Sequence, residues 1–304
     1  MGAARNKGRV FASRWSTTLA FAALALIWGS SFPLIKVGLE HTPPILFAGV
    51  RSLLGGLVLV IVASVWGGRS HLRRDWPAFL ISAAFNVVLF IGLQTLAVLY
   101  VPSGLAAVLV YLQPILVGLF AWLFVGETLT AAKVVGLVLG FLGVAVVSAG
   151  GLSGSVSLVG VVMGALAGLS WAIGTVYFKH AQERVSLLWF VALSFVAGGV
   201  VLTLLGLATE SFSAIDWSSA EFLVSLLVVS LFGIAVAWIV WLGLVAAGEA
   251  SRVSAYVFFV PLTSVLIGTV FLGEPFTVFL VAGAALILSG VYLVNRPSRQ
   301  QIKG

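Results

Sequence analysis

Long apolar runs alternate along the chain with short segments that contain charged residues, proline or glycine. A helix needs about 20 mostly apolar residues to cross a bilayer, so each run is long enough to form one spanning helix. The pattern predicts ten such helices, at residues 17–39, 43–65, 77–99, 102–124, 131–149, 156–178, 186–208, 222–246, 251–272 and 276–294. We therefore expect an all-α polytopic membrane protein.

The basic residues between the runs fall on one side of the membrane. If the N-terminus is cytoplasmic, fourteen of the sixteen Lys and Arg residues lie on the cytoplasmic side, and the other two, Lys36 and Arg51, lie within runs. The acidic, Ser-rich segment 209–221 falls on the opposite side. Because cytoplasmic loops are enriched in Lys and Arg, we expect both termini to be cytoplasmic, in a bacterial-type inner membrane.

Two motifs of the first half recur in the second half at a constant offset of 147 residues. Tyr-Leu-Gln-Pro at 111–114 recurs as Phe-Phe-Val-Pro at 258–261, and Gly-Glu-Thr-Leu-Thr at 126–130 recurs as Gly-Glu-Pro-Phe-Thr at 273–277. Further upstream the offset is 143, and the matched residues are Trp28, Lys36 and Phe47 with Trp171, Lys179 and Phe190. An internal duplication explains these matches.

Each repeat contains five predicted spans, an odd number, so the second repeat must cross the membrane in the opposite sense. Inverted-topology repeats around a central cavity are an architecture of secondary transporters, since two similar halves can exchange conformations and so alternate access. The predicted organisation is a basic N-terminus at 1–16, repeat 1 at 17–149, a linker at 150–155, repeat 2 at 156–294 and a tail at 295–304.

The repeated Trp–Lys block, the paired Pro…Gly-Glu blocks and the arginine in the second span resemble the EamA-type branch of the drug/metabolite transporter superfamily. The resemblance covers residues 17–294, and the layout is most similar to that of YddG-type aromatic amino-acid exporters. It implies that the first four helices of each repeat surround a central cavity. It also implies an exporter that binds a small-molecule substrate.

Composition excludes several other functions. With 61% hydrophobic and 8% charged residues, the chain cannot coat a soluble enzyme of this size with polar side chains. The chain contains no cysteine, and its basic residues lie in short clusters between spans, so we expect neither thiol chemistry nor nucleic-acid binding. Because the predicted spans contain no Asp, Glu or His, we expect no metal site, no cofactor and no intramembrane catalysis.

Arg51 is the first candidate for the substrate cavity. It lies eight residues into the second predicted span, too deep for a loop charge. It either attracts an anionic group of the substrate or satisfies carbonyl groups and fixes helix packing. Lys36, three residues from the end of its span, is interpreted as a snorkelling anchor.

Polar and aromatic residues within the spans supply the other candidates. Asn86, Phe90 and Gln94 follow one another at helical spacing and predict a face turned to the cavity, with contacts between helices as the alternative. The remaining cavity candidates are Trp28, Ser31, Tyr111, Trp171, Trp238, Trp241 and Phe258. Pro114 and Pro261, near the middle of the fourth and ninth spans, predict kinks that either serve gating or are static.

The sequence thus predicts an exporter of amino acids and related small metabolites that works by alternating access. Because no titratable carboxylate or imidazole lies in the predicted spans, we expect transport to be uncoupled. A monomer in the lipid bilayer is compatible with this function. The alternatives are a carrier of anionic, phosphorylated or nucleotide-linked metabolites, which would need several buried cations, and a membrane enzyme or scaffold that transports nothing.

Overall fold

A computed structural model describes residues 14–68, 71–101, 103–149, 156–271 and 277–296. Its regular structure within these ranges is helical, and the ten predicted spanning helices are confirmed. The helices are α1 (Arg14–Glu40), α2 (Pro44–Trp66), α3 (Leu72–Tyr100), α4 (Ser103–Val110 and Gln113–Phe124), α5 (Ala131–Ala149), α6 (Leu158–Ala181), α7 (Leu187–Thr209), α8 (Ala220–Ala247), α9 (Ala250–Phe271) and α10 (Val278–Asn295).

Some predictions lie outside the described residues: the repeat residues Gly273 and Glu274, and the linker 150–155. Elsewhere the helices extend beyond the predicted runs. The third begins at Leu72 rather than at 77, and the sixth ends at Ala181 rather than at 178.

The extensions bring acidic residues and a histidine into terminal helical turns: Glu40 of α1, Asp75 of α3, His180 of α6 and Glu221 of α8. The Asp75 carboxylate is paired with Arg74 at 2.7 Å. Hydropathy alone stops short of these turns because it ends a span at the first charge, whereas backbone hydrogen bonds continue the helix past it.

Two pairs of helices are interrupted at matching positions. A π-helical segment occupies Ala83–Leu89 within α3, and another occupies Val229–Val236 within α8. The predicted kinks at the prolines take the form of breaks: α4 is interrupted at residues 111–112, just before Pro114, and α9 passes through a 3-10 turn at Tyr256–Phe258, just before Pro261. The irregularities of the two halves therefore coincide at the offset of the sequence repeat.

The principal helix contacts are those expected of two similar halves. Helix α2 packs along α7 and α5 along α10, in each case a helix against its counterpart in the other repeat. Helix α1 packs on α9. Its counterpart in the second repeat, α6, packs on α4, which is the counterpart of α9. These contacts are consistent with inverted repeats.

Glycines permit the closest approaches. At the α5–α10 contact, a Cβ at Gly136 would lie 2.6 Å from the carbonyl oxygen of Gly290, and one at Gly143 would lie 2.8 Å from that of Gly283. Because lipid tails are as apolar as the helices, such backbone-to-backbone packing is a main source of helix association in membranes.

We call the end of the bundle where α1 begins and α10 ends the terminal face, and the other end the opposite face. Helices α1, α3, α6 and α8 pack together at the centre, together with part of α2 and the broken region of α4. Their side chains surround the site described next.

Candidate substrate cavity

A cavity lies between the two halves and extends from the middle of the bundle toward the opposite face. The cavity volume is about 60 Å³. The wall consists of Trp28, Ser31, Ile35, Arg51, Phe90, Ile91, Gln94, Val110, Tyr111, Trp171, Val229, Gly233, Ile234 and Trp238.

Arg51 supplies the only charge among the described residues of this wall. Its side chain is 3% exposed, and its Nη2 donates to the Thr95 hydroxyl at 3.0 Å. The guanidinium carbon lies 5.4 Å from the centre of the Phe47 ring, in cation–π contact. Thr95 Oγ1 is free to accept because the hydroxyl donates its own hydrogen to the Ile91 carbonyl.

The Arg51 charge has no counter-ion in the part of the chain that the structure describes. Its Nε is buried without a hydrogen-bond partner, and no carboxylate lies within ion-pair distance. A buried cation is stable only when paired with an anion or reached by water. The arrangement therefore suits an anionic group entering the cavity.

Aromatic rings form the end of the cavity that points toward the terminal face. Trp28 meets Trp171 edge to face at 5.4 Å, and Phe90 stacks on Trp171 at 4.8 Å and 19°. Tyr111 and Trp238 complete the ring cluster, at 6.4 Å from Trp171 and 6.2 Å from Trp28 respectively. These flat apolar surfaces can hold an apolar or aromatic group by stacking.

Eight of the predicted cavity residues line this wall: Trp28, Ser31, Arg51, Phe90, Gln94, Tyr111, Trp171 and Trp238. Gln94 is half-buried and makes no hydrogen bond with any described residue, so its amide is available to a solute.

Asn86, Trp241 and Phe258 lie outside the wall. The Asn86 side chain donates to Ser82 at 3.0 Å and packs against Gly174 of α6. Trp241 is buried beneath the cluster, 5.6 Å from Trp171. Phe258 packs against Gly140 of α5.

Gly233 is a cavity residue that sequence reasoning missed. Its carbonyl oxygen accepts the indole N–H of Trp28 at 3.1 Å, and the helix around it is π-helical. The repeat could have drawn attention to it, since residue 233 is the counterpart of Asn86 at the offset of 147.

Hydrogen bonds join α6 to α8, two helices of the second repeat, at the terminal face. Lys179 Nζ of α6 donates to the carbonyl oxygens of Val245 at 2.9 Å, Ala246 at 3.4 Å and Gly248 at 2.7 Å, at the end of α8. The last carbonyls of a helix have no partner within it, so a lysine there satisfies them and also opposes the negative end of the helix dipole.

A second set of contacts at this face connects the α4–α5 loop to the beginning of α9. Glu127 accepts from the backbone N–H groups of Ala250 and Ser251, the latter at 3.1 Å. Lys133 donates to the Ser251 hydroxyl at 3.2 Å and forms an ion pair with Glu249. The bundle is therefore closed at the terminal face and holds its cavity nearer the opposite face.

The family model described as the EamA-like transporter family matches the chain twice, at residues 15–149 and 158–296. A chain in a crystal structure has the same fold, with a TM-score of 0.79 at 22% identity, over 93% of this chain and 97% of that one.

Several relatives are named as transporters. The uncharacterized transporter YvbV of Bacillus subtilis is 47% identical over 94% of this chain and 93% of its own. The uncharacterized inner membrane transporter YedA of Escherichia coli is 31% identical over 91% and 89%. A probable amino-acid metabolite efflux pump of Salmonella typhimurium is 28% identical over 89% and 91%. On the two family matches and these identities, the chain belongs to the EamA-like transporter family.

Proposed function

We propose that the protein exports amino acids, including aromatic and other neutral ones, and related small metabolites, by alternating access and without a coupling ion. The observation that carries this proposal is Arg51, a buried cation on the cavity wall with no carboxylate partner among the described residues. Family membership means a small-molecule transporter, and the ten apolar helices with the YedA relative mean a multi-pass inner membrane protein.

The cavity offers complementary surfaces to an amino acid. Its carboxylate can pair with the Arg51 guanidinium through two parallel hydrogen bonds, since the arginine fork matches carboxylate geometry. Its side chain can lie against the rings of Trp28, Phe90 and Trp171. The name of the Salmonella relative supports the same substrate class.

The uncoupled mechanism rests on the chemistry of the wall. Among its described residues none is Asp, Glu or His, the side chains that commonly carry the proton in proton-coupled carriers. Asp75 lies in the terminal-face turn of α3 and is already paired with Arg74. Export would then follow from the high concentration of metabolite inside the cell.

A carrier of phosphorylated or nucleotide-linked anions is the competing function of the same class. A doubly charged phosphate would call for more cations than Arg51 alone, and the described wall offers no other. A membrane enzyme would need acid, base or nucleophile pairs, which the described part of the wall also lacks.

Purified protein in liposomes tests the substrate class and the coupling together. We expect exchange of labelled leucine and phenylalanine, no exchange of sugar phosphates, and no net accumulation when equal substrate on both sides meets an imposed pH or sodium gradient. Exchange of phosphorylated compounds alone would establish the rival carrier. Accumulation driven by either gradient would contradict the uncoupled mechanism.

Labelling of single cysteines tests the orientation, which is a proposal drawn from the distribution of basic residues. Ser213 lies exposed in the connection between α7 and α8, on the opposite face. Because the chain has no cysteine of its own, S213C can be labelled selectively. We expect an impermeant maleimide to react with it from outside the cell, and labelling only from the cytoplasmic side would reverse the orientation.

A further inference from the structure

Helices α3 and α8 are counterparts in the two repeats. Their C-terminal ends have the same backbone conformation but different hydrogen-bond partners. In α8 the chain leaves the helix at Gly248 with φ −127° and ψ −178°, and in α3 it leaves at Val101, 147 positions earlier, with φ −139° and ψ 154°. In both, this residue donates its N–H to the carbonyl four positions before, Leu244 at 3.0 Å and Ala97 at 3.1 Å. The two helix ends therefore present the same set of carbonyl groups, α8 at the terminal face and α3 at the opposite face.

Each repeat has a lysine at the corresponding position, but only one of the two is bound to a helix end. Lys179 donates to the carbonyls of Val245, Ala246 and Gly248. Its counterpart Lys36 is exposed, and within the described part of the chain it has no hydrogen bond or ion pair. The interpretation of Lys36 as a snorkelling anchor in this conformation stays a prediction.

The carbonyls that would receive Lys36 are those of Val98, Leu99 and Val101, each 147 positions before a partner of Lys179. The sequence leaves one of them without a helical donor, since the residue four positions after Val98 is a proline and has no N–H.

Two tryptophans show the same asymmetry in the middle of the bundle. The Trp28 indole N–H donates to the carbonyl of Gly233 in the π-helical segment of α8. The Trp171 N–H, 143 positions later, is buried without a hydrogen-bond partner. The counterpart of Gly233 is Asn86, in the π-helical segment of α3.

Near these tryptophans, α1 packs on α8 and α6 packs on α3 through residues at corresponding positions of the two repeats. Ser31 of α1 lies next to Gly233 of α8, where an added Cβ would be 3.1 Å from its hydroxyl. Its counterpart Gly174 of α6 lies against Asn86 of α3. Trp28 and Trp171 each precede these contact residues by three positions, so the two indoles occupy equivalent places on α1 and α6, about one helical turn before the contact.

We propose that these bonds are exchanged during transport. In the conformation closed at the opposite face, Lys36 binds the carbonyls of Val98, Leu99 and Val101, and Trp171 donates to the carbonyl of Asn86, while Lys179 and Trp28 release α8. In each conformation, one of the two lysines and one of the two tryptophans has its hydrogen bonds to a helix carbonyl, and the other lysine and tryptophan do not. This exchange rests on the proposed function in one respect, that the protein works by alternating access. It does not depend on which substrate is transported.

Spin-label distances measured without substrate test the exchange. The exposed pair Glu40 and Tyr100 reports the opening between α1 and α3 at the opposite face, and its counterpart pair, Glu183 and Ala247, reports the opening between α6 and α8 at the terminal face. Each residue of a pair is replaced by a labelled cysteine, and the distance distribution gives the ratio of the two conformations.

Lys179→Gln should shift this ratio about tenfold toward a longer terminal-face distance and a shorter opposite-face distance, because it removes charged hydrogen bonds from one state only. Lys36→Gln should shift it in the other direction, and the double variant should return toward the ratio of the unmodified chain. Arg73→Gln, which removes an exposed cation of the first turn of α3, should leave the ratio unchanged.

Trp171→Phe and Trp28→Phe repeat the test at the tryptophans, since each keeps a ring but removes the indole N–H. We expect Trp171→Phe to act like Lys36→Gln, and Trp28→Phe like Lys179→Gln. The proposal is overturned if Lys36→Gln leaves both distances unchanged while Lys179→Gln moves them, or if both lysine variants shift the ratio in one direction. The measurement uses no substrate, so it tests the exchange of bonds even if the protein does not transport amino acids.

Discussion

Arg51→Gln should lower the transport of leucine and phenylalanine by about ten- to a hundredfold at an equal amount of folded protein. The substitution removes the positive charge of the cavity wall, and a hydrogen bond to a charged group contributes about 1.5–3 kcal/mol. Arg51→Lys should retain part of the transport because the charge survives while the planar fork is lost. Initial rates of exchange in proteoliposomes, normalised to monodisperse protein, give these values.

A substrate without a carboxylate separates recognition from packing. Phenylalaninamide lacks the group that Arg51 would bind, so its exchange should be weak and should change little in Arg51→Gln. Thr95→Val is the matched control. It removes the hydroxyl that accepts from Nη2 but keeps the charge, so it should lower carboxylate transport much less. Amino-acid transport at the native rate by a well-folded Arg51→Gln protein would remove this residue from the mechanism.

The depth of Arg51 could be read from the sequence, but its partners could not. Hydropathy locates a residue along a span because bilayer thickness fixes the length of the span. Which way the side chain faces depends on the rotation of α2 about its axis, and the packing of α2 against α7 determines that rotation. Thr95 is 44 positions away along the chain, and nothing in the sequence marks it as the acceptor.

Asn86 shows why a helical face drawn from spacing can fail. The spacing places Asn86, Phe90 and Gln94 on one side of a regular α-helix. Residues 83–89 are π-helical instead, and the wider turn rotates residues before it relative to those after it. Phe90 and Gln94 therefore line the cavity, whereas Asn86 packs against Gly174.

The predicted aromatic residues lie together in the structure, but they do not all line the cavity. Trp28, Trp171 and Trp238 lie far from both ends of their helices and line the cavity. Trp241 is at similar depth but lies three residues, nearly one helical turn, closer to the terminal face than Trp238. The distance of these residues from the helix ends could thus be read from the sequence. Which of them faces the cavity could be seen only in the structure.

Gly143→Ala should destabilise the protein by about 1–3 kcal/mol, the range expected for an overpacked contact. The added Cβ would lie 2.8 Å from the carbonyl oxygen of Gly283 and 2.8 Å from the backbone nitrogen of Ile287. Both are main-chain atoms of α10, so the helices must separate to make room. A lower midpoint of thermal unfolding in detergent, followed by tryptophan fluorescence, is the expected result.

Gly92→Ala is the matched control because it makes the same chemical change within another spanning helix. The nearest atom to the added Cβ would be the end of the flexible Leu202 side chain, at 3.1 Å, which can move by a small rotation. Alanine also favours a helix over glycine by about 1 kcal/mol, so Gly92→Ala should be neutral or stabilising. Equal unfolding midpoints for the two variants would contradict close backbone packing of α5 on α10. A lower unfolding midpoint for Gly143→Ala alone would show that glycine contacts stabilise the packing of α5 on α10, which hydropathy cannot predict.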